Sequence, residues 1–216
     1  MYNINSCDIE LEGLLDQDKV STLANFETSH QKQEKTIEEI VNGVKHAEAS
    51  GFKDTKTLWN IAGYLNITSY DLQIIARDLM FSRNEWQKRV YARQACLIIH
   101  ESSKNLLVLF GKDFIELTRN RLDISEFQNN LNNIKKDLKK FTDTYYEDLV
   151  KIRNVATAHR ENDVLKQIEI IHQINWSVSL SIISKFNNII NNLSRALIDI
   201  INKGFIELPE LKTPNK

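Results

Sequence analysis

The sequence predicts an all-α protein, an antiparallel bundle of long helices with an N-terminal helical extension, and three observations predict it. Only six Gly and two Pro occur in 216 residues, and Pro209 and Pro214 both fall in the last eight, so little interrupts a helix before Gly204. Apolar residues recur every three to four positions over long stretches, which puts them on one face of a helix. Residue types suited to helix starts and stops bracket those stretches. With 42% hydrophobic and 26% charged residues, the chain can bury a substantial core.

Taken in order, residues 1–82 read as an arm and a helical extension, 83–204 as the main bundle and 205–216 as a solvated tail. In the arm, Leu11, Leu14 and Leu15 mark a short amphipathic turn or frayed helix. From Ser21 to about Ala49, Leu23, Phe26, Ile37, Ile40, Val41 and Val44 predict a helix that Gly51 stops. Asp54 then suits the cap of a short helix carrying Leu58, Ile61, Ala62 and Leu65. Thr68 and Asp71 have capping-box spacing and open another helix through Leu72, Ile75, Leu79 and Met80.

A longer helix runs from Asn84 to about Phe110, with Trp86, Val90, Leu97, Ile98, Leu106 and Leu109 on its buried side and Gly111 as its end. Phe114 to Leu117 has no clear period. Ser125 and Gln128 again have capping-box spacing, and the helix they start extends to about Ala158. The return helix runs from Asp163 to Lys203, bends near Asn175 to Ser177 where the apolar stripe loses regularity, and stops at Gly204. Trp59, Trp86 and Trp176 read as core anchors.

Charge and composition exclude several functions. A formal charge of −1 and a pI near 6.5 are unlike a general nucleic-acid coat protein, so no DNA partner is expected, while a local basic patch remains open. Cys7 and Cys96 make neither a disulfide framework nor a ligand cluster. No apolar run approaches the ~20 residues that span a bilayer. The N-terminus has neither a cationic start nor an apolar signal core. A cytoplasmic protein with no membrane partner and no cofactor is the expectation.

The stretch Lys151 to Asp163, KIRNVATAHREND, joins the two longest helical patterns. It begins as helix, passes through Ala156, Thr157 and Ala158, and meets Asn162 and Asp163, which favour capping a new helix. A helical hairpin follows, with Arg153 and His159 near its tip. The first is a permanent guanidinium, and the second can exchange a proton near neutral pH. A second pair of similar spacing, Arg93 and His100, lies within an uninterrupted helix, where a solvated arginine and a partly buried histidine are the simpler expectation.

An arginine followed after four to six residues by a histidine is the signature of the HEPN family. Arg153-Asn154-Val155-Ala156-Thr157-Ala158-His159 has five between them. With the motif between two long helices late in the chain, Asn84 to Gly204 resembles HEPN proteins of the abortive-infection and toxin type. The resemblance implies a homodimer whose paired motifs line a cleft, and metal-independent cleavage of RNA by attack of a 2′-hydroxyl on the adjacent phosphodiester. Arg153 would hold the phosphate, His159 would move a proton, and Asn154 would orient the histidine or the RNA.

Lys135, Lys136, Lys139, Lys140 and Lys151 share the motif helix, and Arg160 lies just beyond it. With Tyr145 and Tyr146 they could form a track for single-stranded RNA, read otherwise as a solvated lysine face with tyrosines in the core. Some toxin members carry a tyrosine two residues after the histidine, a target for modification by an antitoxin. Glu161 stands there in this chain, so that form of regulation is not implied, although an antitoxin or other protein partner stays open. Glu161 could also pair with Arg153 or Arg160. Catalytically silent members of the family act as modules that bind a nucleotide, RNA or a protein.

A competing constellation comes from helical bundles that house two metals with Glu-x-x-His pairs on two helices and further carboxylates on two others. Glu27 with His30 and Glu169 with His172 have that spacing, and Glu101 or Glu147 could supply the remaining carboxylates. Solvated or capping roles are the simpler expectation for these residues.

Overall fold

A computed structural model of the chain describes residues 6–119, 125–154 and 163–207. These form eight helices and no strand: α1 (Ser6–Gln17), α2 (Lys19–Ala49), α3 (Lys53–Phe81), α4 (Glu85–Leu109), α5 (Lys112–Arg119), α6 (Ser125–Ile152), α7 (Val164–Gln173) and α8 (Trp176–Glu207). The protein is an all-α helical bundle. No helix among the described residues is long and apolar enough to cross a membrane.

Four helices, α3, α4, α6 and α8, pack side by side around one continuous core, and α2 lies against the outer face of α3. Every third or fourth residue of each points inward: Leu65, Leu72 and Leu79 on α3, Ile99 and Leu106 on α4, Leu131 and Leu138 on α6, and Ile183, Phe186 and Ile190 on α8 are buried. The extension is therefore not separate from the bundle, because α3 supplies part of the same core. Side-chain pairs give the directions. Lys88 with Trp176 places the starts of α4 and α8 together, and Phe141 with Phe186 pairs α6 with α8. Ser29 with Gln73 and Gln33 with Asn66 run α2 antiparallel to α3.

Local signals set several boundaries. Asn84 Oδ1 accepts from the backbone N–H of Trp86 and Gln87 and starts α4, and Asp163 Oδ1 does the same for Leu165 and Lys166 at α7. Gly51 ends the α2 hairpin with φ +71°, a conformation that favours glycine. Phe114 to Leu117 lies in α5, where Phe114 stacks edge-on against Phe110.

Other expectations are corrected. Thr68 and Asp71 open no helix, because α3 runs unbroken from Lys53 to Phe81, and Phe52, not Asp54, occupies its cap position. Thr68 and Ser69 are buried in the helix middle; the burial of a whole apolar face outweighs a preference worth only tenths of a kcal/mol per residue. The bend expected near Asn175 is a full break at Ile174 and Asn175, with Asn175 Oδ1 accepting from the Val178 N–H to start α8. Gly204 does not stop α8, which continues to Glu207. Trp86 is not a core anchor but 48% exposed; it sits in the first turn of α4, at the end of the bundle, with the His172 ring at its edge and the Arg93 guanidinium over its face. Trp176 is buried as expected. The end of the α6 pattern near Ala158 lies outside the described residues.

Gly43 marks a close approach of α2 to α3, since a Cβ there would overlap the indole of Trp59. Alanine is favoured over glycine within a helix by about 1 kcal/mol, yet overpacking costs about 1–3 kcal/mol. Gly43→Ala is therefore expected to lower the urea midpoint without changing its slope. A raised midpoint would mean that Trp59 moves aside at no cost.

Candidate functional site at the end of α6

After Ile152 the α6 backbone widens into a π-type turn at Arg153 and Asn154, a distortion that is uncommon and often found at functional positions. The turn presents the Arg153 side chain to the middle of α4. Arg153 Nε donates to Glu101 Oε1 at 2.6 Å, and Nη1 donates to Asn154 Oδ1 at 3.0 Å. A guanidinium has five N–H donors and these bonds use two. The arginine side chain is 25% exposed, and its Glu101 partner 45%. The pair is thus a solvent-facing, charge-assisted contact that fixes orientation more than it adds stability.

His100 completes the cluster. It is 4% exposed, its ring centroid lies 6.2 Å from that of Tyr146, and it feels the charges of Arg153, Lys104 and Glu101. Burial, with help from the Lys104 and Arg153 cations, pushes its pKa below the ordinary histidine value, so the ring is neutral at pH 7. The Arg153 bond holds the Glu101 carboxyl below the usual carboxylate range. Glu101 and His100 are the site residues that sequence reasoning did not select. His100 entered only as half of the Arg93 pair, and Glu101 only as a metal carboxylate. The Glu101 bond to Arg153 and the charge of Arg153 felt at His100 cross more than fifty residues, and no local pattern carries that.

Both shifts act in the same direction on stability. The unfolded chain takes up a proton at His100 near pH 6.5, whereas the buried ring resists it, so the His100 contribution is present above that pH and is lost as pH falls through the depressed folded value. Glu101 follows at lower pH, where the unfolded carboxyl protonates first. The melting temperature is expected to decline from below about pH 6.5, and His100→Gln should flatten the decline between pH 6.5 and 5. An identical decline in that variant would assign the acid sensitivity elsewhere.

Tyr146 lies two helical turns before Arg153, and Lys139 two turns before Tyr146. Successive steps of seven residues drift by only ~20°, so Lys139, Tyr146 and Arg153 follow one line along α6. Tyr146 is 48% exposed. Lys139 and Lys140, with Lys136, Asp143 and Thr144, line a shallow depression on the outer face of the helix. Lys140 lies thirteen residues from Arg153, roughly 20 Å along the axis. Lys151 Nζ donates to Gln173 Oε1 and ties α6 to α7. Lys135 is partly buried, which lowers its pKa, and Tyr145 accepts a bond from Lys185. His159, Arg160 and Glu161 lie outside the described residues.

The di-metal constellation does not assemble. His30, on α2, is buried between Phe26 and Tyr70, and His172, on α7, is exposed against Trp86. Among the described residues no three His, Cys, Asp or Glu side chains gather as metal ligands would. Cys96 is buried in the core, which pushes its thiol pKa up to about 12 and removes it as a nucleophile. No family model matches the chain, and no curated protein or solved structure matches it either.

Proposed function

We propose that the chain is a HEPN-like, metal-independent endoribonuclease of a defence or toxin–antitoxin system, acting as a cytoplasmic homodimer. Arg153 would anchor the scissile phosphate, His159 would take the proton of the attacking 2′-hydroxyl or return one to the departing 5′-oxygen, and Asn154 would steer the guanidinium. The observation that carries this reading is the Arg153 arrangement. A motif arginine sits on a widened turn at a helix end, pre-oriented by Glu101 and Asn154, with three further N–H donors that meet no partner among the described residues. The line of Lys139, Tyr146 and Arg153 along α6 supports an extended single strand, the lysine meeting phosphate and the tyrosine stacking on a base; Lys140, Lys151 and Arg160 would add to its charge. The family resemblance implies two copies meeting at the motif, which would line one cleft with both residue types.

Incubation of the purified chain with single-stranded RNA in chelator should give products ending in a 2′,3′-cyclic phosphate and a 5′-hydroxyl, because the 2′-oxygen bonds to phosphorus as the 5′-oxygen leaves. Products ending in a 5′-phosphate would exclude this chemistry. The second reading, a catalytically silent module that binds a nucleotide, RNA or a protein partner, draws support from the same ion pair, since Glu101 already neutralises the Arg153 charge. RNA retention without any cleavage between pH 5 and 9 would favour it.

A further inference from the structure

Where α3 ends and α4 and α8 begin, the bundle holds a lysine in an unusual place. Lys88 is 1% exposed, and lysine is almost never buried to that degree unless it is paired. Its ammonium lies 4.2 Å from the centre of the Trp176 ring, itself buried, in a cation–π contact that strengthens as water is excluded. Glu85 Oε1 stands 3.5 Å from Lys88 Nζ, and the same carboxylate pairs through Oε2 with Arg89 at 3.2 Å. Two cations thus share one carboxylate of their own helix. A second carboxylate comes from Glu12, on α1, which forms an ion pair with Lys88.

α1 is attached less firmly than the site beneath it is built. From Glu12 to Gln17 only Leu15 is even partly buried, and it packs against the core three residues from Glu12. The Glu12 side chain remains 48% exposed. α1 has 12 residues, a length at which an isolated helix is marginal in water. Asp18 alone joins it to α2, with φ −100°, ψ 13° and no side-chain cap. Past that joint the chain is anchored, because Lys19 sets its ammonium 5.7 Å from the centre of the Phe81 ring. α1 is therefore a short lever on a one-residue hinge, the kind of segment that opens locally at little cost. With α1 lifted, Lys88, Arg89 and Glu85 together carry one surplus positive charge, beside an indole and the apolar seat of Leu15.

We propose that this surface is a docking site for an acidic helix of a protein partner, presenting a carboxylate to Lys88 and a leucine three residues later, and that α1 is the stand-in the partner displaces. Residues three apart share one helix face, as Glu12 and Leu15 do. The surplus positive charge disfavours a basic helix, and the leucine seat separates the occupant from a small anion. Arg153 takes no part, so the site stands whether or not the RNA reading holds.

The probe is a fluorescein-labelled peptide with residues 6–18 of this chain, followed by anisotropy. It is titrated into the full-length natural chain and into the full-length double variant Glu12→Gln with Leu15→Ala, which loosens α1. The double variant should bind the peptide saturably and at least about tenfold tighter than a Glu12→Gln peptide, which leaves the Lys88 ammonium without its second carboxylate. The natural chain should bind at least about tenfold more weakly than the double variant, because its own α1 competes at the high effective concentration of a short tether. Glu12→Gln alone, with the same ranking, is the second variant should the double one fail to fold by circular dichroism. Acetylation of Lys88 by acetic anhydride, mapped by mass spectrometry, should be faster in the loosened chain and slow again when peptide is added; this readout needs no substitution at Lys88. Absence of saturation up to millimolar peptide, equal affinity for the Glu12→Gln peptide, or unchanged Lys88 acetylation would each overturn the proposal. Dimerisation of the natural chain that the peptide competes away would assign the surface to α1 of a second copy and overturn the partner.

Discussion

His159→Ala is expected to reduce chelator-resistant RNA cleavage by roughly 10²–10⁴-fold, the range that a positioned proton-transfer group contributes, while leaving RNA retention nearly intact. The split between cleavage and retention follows from the roles proposed for the two motif residues. His159 would move a proton only as the phosphodiester reacts, so its loss falls on the rate. Arg153 would hold the phosphate before and during reaction, so Arg153→Lys should weaken retention and cleavage together, because an ammonium keeps the charge but not the forked donor geometry. Glu101→Gln is informative beside them. The amide oxygen can still accept from Arg153 Nε, where the carboxylate oxygen lies at 2.6 Å, but the neutralising charge is gone, and tighter RNA retention is the expected outcome. Cleavage that persists in His159→Ala would remove that residue from the chemistry and direct attention to neutral His100, at the same end of α6.

The largest effect on stability is expected from Phe186→Ala, a loss of about 3–5 kcal/mol. Phe186 has no exposed surface, and its ring centroid lies 5.3 Å from that of Phe141, so α6 and α8 meet through this aromatic pair. Removing the ring forfeits its transfer energy and leaves a cavity that two long helices can close only by shifting along much of their length. For a protein of this size the melting temperature should fall by roughly 6–20 °C, with the denaturant slope unchanged. A loss below about 1 kcal/mol would mean that the α6–α8 contact is not a packed core seam. Because α6 carries Arg153, the same variant should also weaken any activity at the site before it unfolds the chain.

What the amino-acid order determined by itself was the kind of element and most of its local punctuation. Scarce Gly and Pro, apolar spacing of three to four, and the caps at Asn84 and Asp163 act through neighbours in the chain, so they could be read without the fold. The candidate arginine was legible too, as a motif at a helix end. The tertiary structure alone decided the rest, because the forces involved act between segments distant in sequence. Burial against α2 and α8 kept α3 continuous through Thr68 and Asp71, despite a capping signal worth little beside a buried face. The end of the bundle left Trp86 half exposed, although its spacing matched the core. The packing of α4 beside α6 brought Glu101 and His100 to Arg153, where a carboxylate across the bundle sets the direction of the guanidinium.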